Sequence, residues 1–467
     1  MLSPVLARSV LLLALLLSCP ARPGVVLAGE PPAAGAAPLQ LTLRQAIRVA
    51  LEKNPVLRQA ANLVESSSIS VAQRQANFAP DLGIFLSGTE RFDKSLDPDG
   101  SRDGRNYETA NGSLGSNVNL FKGFGDVAAL RSAEWELAGG RSTYTRDEQT
   151  LVFDTVATYL QALGDRELIR VRSENLEGNR RQLEQVEALY QAGNRPVSDF
   201  YQQQAETANA ELDLLVAERN YELAGRRLLQ IIGLPPTTGI ELQAPDLAPL
   251  ENALVAGQQG PPDLAALAQR TDLLAAEQQI RAAGEQVSEA QAGYWPTLDL
   301  AANINSDYNS LNPTGGFSRQ FFDDNLGAAI GLTLSVPVFD RQLTRNQVAQ
   351  ARIRQDNARL TLLQQQLQAE TEFSQAIDDL RTAQQLVGVT AARLTAARQA
   401  LAAVEERYRV GAATLVELTQ ARTSFTEADY ERVKARYGLI RQGAAVAYYQ
   451  GNWERMQALL VQWENPQ

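Results

Sequence analysis

The chain contains no histidine. That absence removes His-ligated zinc, the Ser-His-Asp triad, the Cys-His pair and a histidine acid–base in one step. Its one cysteine, Cys19, sits in the N-terminal leader, so everything after the leader has neither a disulfide framework nor a thiolate cluster. Aromatic residues are only 6% of the total, and the 32 Gly and 20 Pro among 467 residues are too few for collagen-like or low-complexity material. Lys and Arg number 43 against 54 Asp and Glu, a net charge of -11. A polyanion is a poor nucleic-acid ligand, because phosphate binding depends on basic side chains displacing counterions. Past the leader there is no run of the ~20 apolar residues that a spanning helix needs, so entry into a membrane is expected only as a β-barrel. No carboxylate pair, metal cluster, nucleophile elbow or phosphate loop stands in a supporting context, so no catalytic residue, cofactor or metal is expected. The length suffices for about three average domains with a large core.

Residues 1–28 read as an export signal. Arg8 supplies the positive start, and Val10–Leu17 forms an apolar stretch far too short to cross a bilayer. Two processing sites compete. Val26-Leu27-Ala28 fits small-residue cleavage, whereas Leu16-Leu17-Ser18-Cys19 resembles a bacterial lipobox that would lipidate Cys19. Residues 29–38 form a Pro- and Ala-rich lead-in.

The body of the chain repeats itself. Leu57, Val64, Val71 and Phe78 form an apolar heptad that recurs as Leu273, Ile280, Val287 and Tyr294, a shift of 216 residues. Ile169, Leu176, Leu183 and Tyr190 recur as Val387, Leu394, Leu401 and Tyr408, a shift of 218, and both runs reach Tyr-x-x-Gly, at Gly193 and Gly411. Two independent heptads at nearly one offset mean a tandem duplication. We divide the chain into a first repeat at 39–245, a linker at 246–262, a second repeat at 263–452 and a tail at 453–467. The stretches Phe124–Gln191 and Arg341–Val410 have no proline, and heptads of this kind predict long coiled-coil helices, each of about 65–70 residues and ~100 Å. The return segments Ser198–Ile232 and Val416–Gln450 are likewise proline-free and helical in period.

Between the helices the period changes to two. Leu82, Ile84 and Leu86 alternate with polar or small residues after Pro80, as do Leu114, Val118 and Leu120 on the return. The second repeat has Leu298, Leu300 and Ile304, then Leu332, Leu334, Val336 and Val338. We expect strands at about 80–88, 112–121, 296–305 and 329–339, joined by polar loops at Thr89–Thr109 and Ser306–Asn325. One apolar and one polar face suit a lipid-facing barrel with a wet lumen. Four strands cannot close a barrel, since the smallest have eight, so several protomers must pool theirs. A secreted coiled-coil structural or adhesive protein is the rival reading. It shares the heptads but gives no reason for two amphipathic hairpins, and only the channel should need detergent for extraction.

Several marks recur in order along the chain. They are the helix opening Leu41-Thr-Leu-Arg-Gln-Ala46 with Asn54-Pro55, the Pro-led strands at Pro80 and Pro296, the strand ends Leu120-Phe121-Lys-Gly123 and Val336-Pro-Val-Phe-Asp340, and the paired Tyr-x-x-Gly tips. In these the chain resembles the TolC-type outer-membrane efflux proteins over nearly its whole mature length. The resemblance implies a mainly α fold with β: a homotrimer whose long helices form an α-barrel joined to one twelve-stranded transmembrane β-barrel. It also implies a passive porin-like channel in the outer membrane, extending into the periplasm. Such a channel takes small molecules, or proteins in type I secretion, from an inner-membrane efflux pump or ABC exporter through a periplasmic adaptor.

By the same resemblance the helix tips carry the function. Gly193 and Gly411 match the tip glycines, and with Tyr190 and Tyr408 they mark where the adaptor docks. Tyr408 matches a tyrosine that holds the pore shut. Glu417 and Gln420 match two positions that are both acidic in well-known members, and Asp199 matches an acidic residue on the partner tip. Ala413 stands where an arginine bridges to the neighbouring tip, and Arg195, at the equivalent place in the other repeat, is the candidate substitute. Plain readings stand beside these: heptad packing for Tyr190 and Tyr408, and helix-start carboxylates that stabilise the macrodipole for Asp199 and Glu417.

Overall fold

The computed structural model describes residues 39–451 apart from 93–94, 97–101, 104–105, 245–246, 257–263 and 314. The leader with Cys19, the lead-in and the 453–467 tail lie outside the described residues. The fold is mostly helical with some sheet. A short strand β1 (Leu39–Leu41) precedes α1 (Leu43–Lys53) and α2 (Pro55–Ala76). Next come β2 (Gly83–Phe92), the two-residue strands β3 (Ser95–Leu96) and β4 (Arg102–Asp103), and β5 (Asn106–Lys122). Helices α3 (Gly125–Gln191) and α4 (Val197–Ile231) follow, then β6 (Ile240–Leu242) and α5 (Ala248–Ala256). The second repeat adds α6 (Thr271–Gln291), β7 (Thr297–Asn309), β8 (Gly327–Ser335), α7 (Leu343–Arg409) and α8 (Leu415–Gln450).

Helices α3 and α7 each run 67 residues without interruption, because neither contains a proline to remove an i→i−4 bond. Thr42 and Gln45 form a reciprocal capping box that starts α1. Asn54 ends that helix and starts the next: its side-chain nitrogen donates to the Ile231 carbonyl (2.7 Å), while its oxygen accepts from the Leu57 amide (2.9 Å).

The described residues divide into two compact units, one of residues 67–136 and 280–357 and another of 39–66, 137–279 and 358–451. The core of the second unit gathers Ala46 and Ala50 of α1, Val156, Tyr159 and Leu163 of α3, Leu228 of α4, Leu380 of α7 and Leu439 of α8. Each fully buried Leu contributes about 1.5–3 kcal/mol relative to exposure. Tyr159 is buried with its hydroxyl held between the carbonyls of Leu41 (2.8 Å) and Gln243 (2.7 Å), and burial pushes its pKa up to about 12. It thereby ties the parallel pair β1–β6 to α3. The segment expected as a linker also holds α5, a packed helix. Leu250 and Leu254 are buried, Glu251 bridges Arg432 (2.9 Å) and Arg436 (2.5 Å), and the Leu254 methyls lie where any Cβ on Gly443 would stand. Its nine residues between Pro- and Gly-rich flanks are too short for a periodic signal to declare itself.

The first unit carries a four-stranded antiparallel sheet in the order β2-β5-β7-β8. Its register puts Ile84, Leu86, Leu114, Val118, Leu298, Leu300, Ile304, Ile330, Leu332 and Leu334 on one face. The other face presents Asn111, Asn117, Asn119, Asp299, Asn303, Asn305 and Asp307, with Phe85 the exception, and Asn119 donates to Asp299 across it (2.7 Å). Strands β2 and β8 each have one unpaired edge within the sheet. Strand β8 stops at Ser335, short of the expected 339, as Pro337 has no N–H for a ladder. Conversely, β2, β5 and β7 run on to Phe92, back to Asn106 and on to Asn309, into stretches expected as loops. The stretch after β7 is not simply polar either. It forms a short helix at Phe317–Arg319 and a π turn at Gln320–Asp324 that packs back on the sheet.

Both repeats turn from strand to long helix through two consecutive left-handed residues. In the first these are Gly123 (φ 58°) and Phe124 (φ 65°); in the second, Arg341 (φ 56°) and Gln342 (φ 65°). Among the described residues no helix is long and apolar enough to cross a membrane.

Candidate functional site

The two tips are built alike and then differ in their side chains. Helix α3 ends in a Schellman motif: the Gly193 amide donates to Tyr190 (2.9 Å) and the Asn194 amide to Leu189 (2.9 Å). Helix α7 ends the same way, with Gly411 donating to Tyr408 (3.1 Å) and Ala412 to Arg407 (2.7 Å). Gly193 and Gly411 sit at φ 76° and 77°, where a Cβ would be strained, which is why glycine holds both positions.

Helix α8 begins at a capping box. Thr414 accepts from the Glu417 amide (3.2 Å), and the Glu417 carboxylate accepts from the Thr414 amide (3.2 Å). The Glu417 carboxylate also faces Arg407 at 3.5 Å, and Arg407 donates to the Ala412 carbonyl (2.9 Å), so its charge is partly spent inside its own tip. Helix α4 has Pro196 at the same place, with no side-chain cap, and Asp199 in its first turn. The macrodipole reading thus has geometric substance for Glu417, which caps, and rests on position alone for Asp199.

Arg195 joins the tips. Its guanidinium lies over the Tyr408 ring, 5.0 Å from the centroid, and sits 3.5 Å from the Asp199 carboxylate. The expectation placed this lock between neighbouring tips, and here the two tips belong to one chain. Tyr408 is buried, packed with Val186, Ala413, Leu415 and Leu418, and its hydroxyl accepts from Gln182 (3.4 Å). Burial raises its pKa, with Arg195 opposing and Asp199 adding to the shift. Ala413 is itself in this apolar cluster, so an arginine there would need to leave it. Tyr190, its repeat partner, is exposed instead, and stacks on Phe200 at 5.8 Å. The pair therefore divides its roles, one ring in the joint and one at the surface. Gln420 is exposed on α8 beyond this cluster.

Behind the joint the bundle turns polar. A cavity of about 240 Å³ is lined by Asn175, Asn179, Gln203, Arg422 and Thr426 among others. Gln203 donates to Asn179 (3.1 Å), Thr426 to Asn175 (3.1 Å), and Arg422 to the Gly178 carbonyl (3.1 Å). Neither these residues nor Gln182, Arg407 and Thr414 stand out in the sequence as site residues. Only the Thr414-x-x-Glu417 spacing carried a readable signal, the capping box. The tips join helices and expose aromatic and charged side chains, and among the described residues no group of His, Cys, Asp or Glu is placed to hold a metal ion.

A duplicated chain with paired tips and an amphipathic hairpin sheet matches the family model described as "Outer membrane efflux protein" twice, over residues 46–234 and 265–452. The chain belongs to this family. It is similar to the outer membrane protein TolC of Escherichia coli (strain K12), 26% identical over 418 residues, covering 85% of this chain and 80% of that one. It is also similar to the pyoverdine export outer membrane protein OpmQ of Pseudomonas aeruginosa, 27% identical over 71% of this chain and 67% of that one. Among solved structures, the outer membrane protein VceC from Vibrio cholerae shares the fold, with a TM-score of 0.73 at 21% identity, covering 88% of this chain and 96% of that one. This efflux protein is thus an outer-membrane component extending into the periplasm, and it serves export across the outer membrane. Its relatives are channels and export proteins rather than enzymes.

Proposed function

We propose that three copies of the chain close one twelve-stranded barrel in the outer membrane, with their long helices forming an α-barrel in the periplasm. The observation that carries this is the sheet: four strands, two unpaired edges, one face of Leu and Ile and the other of Asn and Asp. In lipid an unpaired edge is prohibitive, because each orphan N–H and C=O costs several kcal/mol. Pooling strands removes the edges, turns the apolar face to lipid and lines a water-filled pore with the polar one. Exposed Phe124, Tyr294, Trp295 and Phe339 at the helix end of the sheet are the residue types that settle at a membrane interface.

The tips are the periplasmic gate and the docking point. Tyr408, Arg195 and Asp199 hold the closed arrangement, three copies of Glu417 ring the mouth, and Gln420 leaves that ring a single acidic tier. Gly193 and Gly411 shape the turns, and these with Tyr190 and Tyr408 meet a periplasmic adaptor, which couples the channel to an inner-membrane efflux pump or ABC exporter. The channel itself performs no chemistry and holds no cofactor, and it passes small molecules or, in type I secretion, proteins. Light scattering of the detergent-solubilised protein should give a trimer with little monomer. A well-behaved monomeric pore overturns the reading.

A further inference from the structure

The chain does not pass straight from β7 to β8. Gln320, 1% exposed, gathers the connection: its side-chain oxygen accepts from the Asn309 amide (3.1 Å), and its nitrogen donates to the carbonyls of Gly315 (2.9 Å) and Asn312 (3.4 Å). Ser306 donates its hydroxyl to the Phe321 carbonyl, and Asn325 donates to Asp307 (2.8 Å). These bonds hold the π turn down on the sheet. The Phe321 ring occupies the space where residue 112 would carry a side chain: a Cβ on Gly112 would stand 2.6 Å from it, with Leu86 at 3.2 Å. Gly112 and Leu86 lie on the apolar face. Tyr308, Phe317, Phe321 and Phe322 continue in a chain of ring contacts, with centroids 5.1, 5.1 and 5.2 Å apart.

A turn that only needed to face water would not gather three phenylalanines, two of them half-buried and Phe322 exposed. Phe322 is 67% exposed and Leu326 60%, while Arg319 is neutralised by Asp324 at 3.3 Å. Burying one Phe from water is worth about 1.5–3 kcal/mol, so an apolar phase covering this surface would stabilise the arrangement. Length identifies the phase. Leu298 and Tyr308 both lie in β7; at ~3.4 Å per residue and a tilt of ~40°, their separation spans about 26 Å of depth, close to the ~25 Å apolar band of an outer-membrane barrel. With Leu298 at the inner boundary, the aromatic turn falls at the outer one.

We infer that the β7–β8 connection is a membrane foot, its Phe321–Phe322 turn clamped over Gly112 on the apolar face and seated in the acyl–headgroup boundary of the outer leaflet. This rests on the barrel reading above. Its occupant is lipid because the foot continues the surface of Ile330 and Leu332, both of which are exposed.

The chain beyond the leader has no cysteine, so single thiols can be placed and spin-labelled at will. The full protein carrying Phe322→Cys, Ile330→Cys or Asn111→Cys is labelled and reconstituted in phosphatidylcholine–phosphatidylglycerol vesicles. Its collision with dissolved oxygen and with a water-soluble nickel chelate is then measured. The label at 322 should favour oxygen, like that at 330 and opposite to that at 111. If 330 favours nickel, the barrel reading itself fails. If 330 favours oxygen but 322 favours nickel, the loop stands in water and the foot is refuted. A label at 322 shielded from both reagents means that a neighbouring copy covers the turn, which also overturns the lipid assignment. Residue 322 is a surface position, so the label should not disturb folding.

Discussion

Replacing Arg195 by alanine tests the joint where the two tips meet. The change removes a guanidinium stacked 5.0 Å from the Tyr408 centroid and an ion pair of 3.5 Å with Asp199. Both charged side chains are partly shielded, at 25% and 21% exposure. A cation–π contact there is worth about 1 kcal/mol and an i,i+4 pair about 0.3–0.5. Together they come to ~1.4 kcal/mol per chain, a tenfold shift toward the open state if a single tip loosens. Should three tips part in concert, the shift multiplies with each copy. Single-channel recording in planar bilayers reads the open fraction directly. Arg195→Lys separates the contributions, since it keeps the charge and loses the planar stack, and should fall between wild type and alanine. Pairing Arg195→Ala with Tyr408→Leu closes a double-mutant cycle whose coupling should approach 1 kcal/mol, because the two residues touch. An open fraction unmoved by Arg195→Ala, or a cycle with no coupling, would show that the stack is surface decoration and that closure lies elsewhere.

Glu417 is both a cap and a charge at the mouth, and two substitutions split these roles. Glu417→Gln keeps the capping geometry, so it should leave thermal stability near wild type while weakening cation preference and block by periplasmic-side divalent ions. Glu417→Ala should weaken the preference and the block alike and also cost ~1 kcal/mol of helix start, since it removes the carboxylate that accepts the Thr414 amide. Unchanged conductance in the glutamine variant, measured in the same bilayers, leaves Glu417 as a cap alone. For Cys19, mass spectrometry of the mature N-terminus decides between processing routes. Lipidation predicts that Cys19→Ser blocks maturation, whereas an N-terminus at Gly29 excludes the lipoprotein form.

The long elements were legible because their signals are redundant. A 67-residue stretch with no proline and an apolar heptad leading to its tip can hardly be read otherwise, and the sheet's alternation appears in all four strands. Glycines 193 and 411 were legible for a local reason, the left-handed turn that ends a helix. The joint was legible only in part. That Tyr408 is buried and Tyr190 exposed depends on what the next helix presents: Leu415 and Leu418 against one, Phe200 against the other. Gln182 and Gln203 are buried polar residues with no signal in the sequence, and only the assembled bundle supplies the partners that make them tolerable. The turn after β7 misled for the opposite reason. Its Asn, Asp and Ser suggested a solvated loop, while three phenylalanines among them decide where it lies.

The paired left-handed residues between strand and long helix have a history in them. The first repeat spends a glycine on the position, at Gly123; the second holds nearly the same angles with Arg341, against the preference of any residue bearing a Cβ. The first repeat has two residues between strand and helix and the second has seven, so the residues and the length have both changed while the left-handed pair before the helix has not. What the two corners share is the pair of angles that sends the chain into its helix, so the corner accommodates changes of residue and of length alike as long as that pair stands directly before the helix.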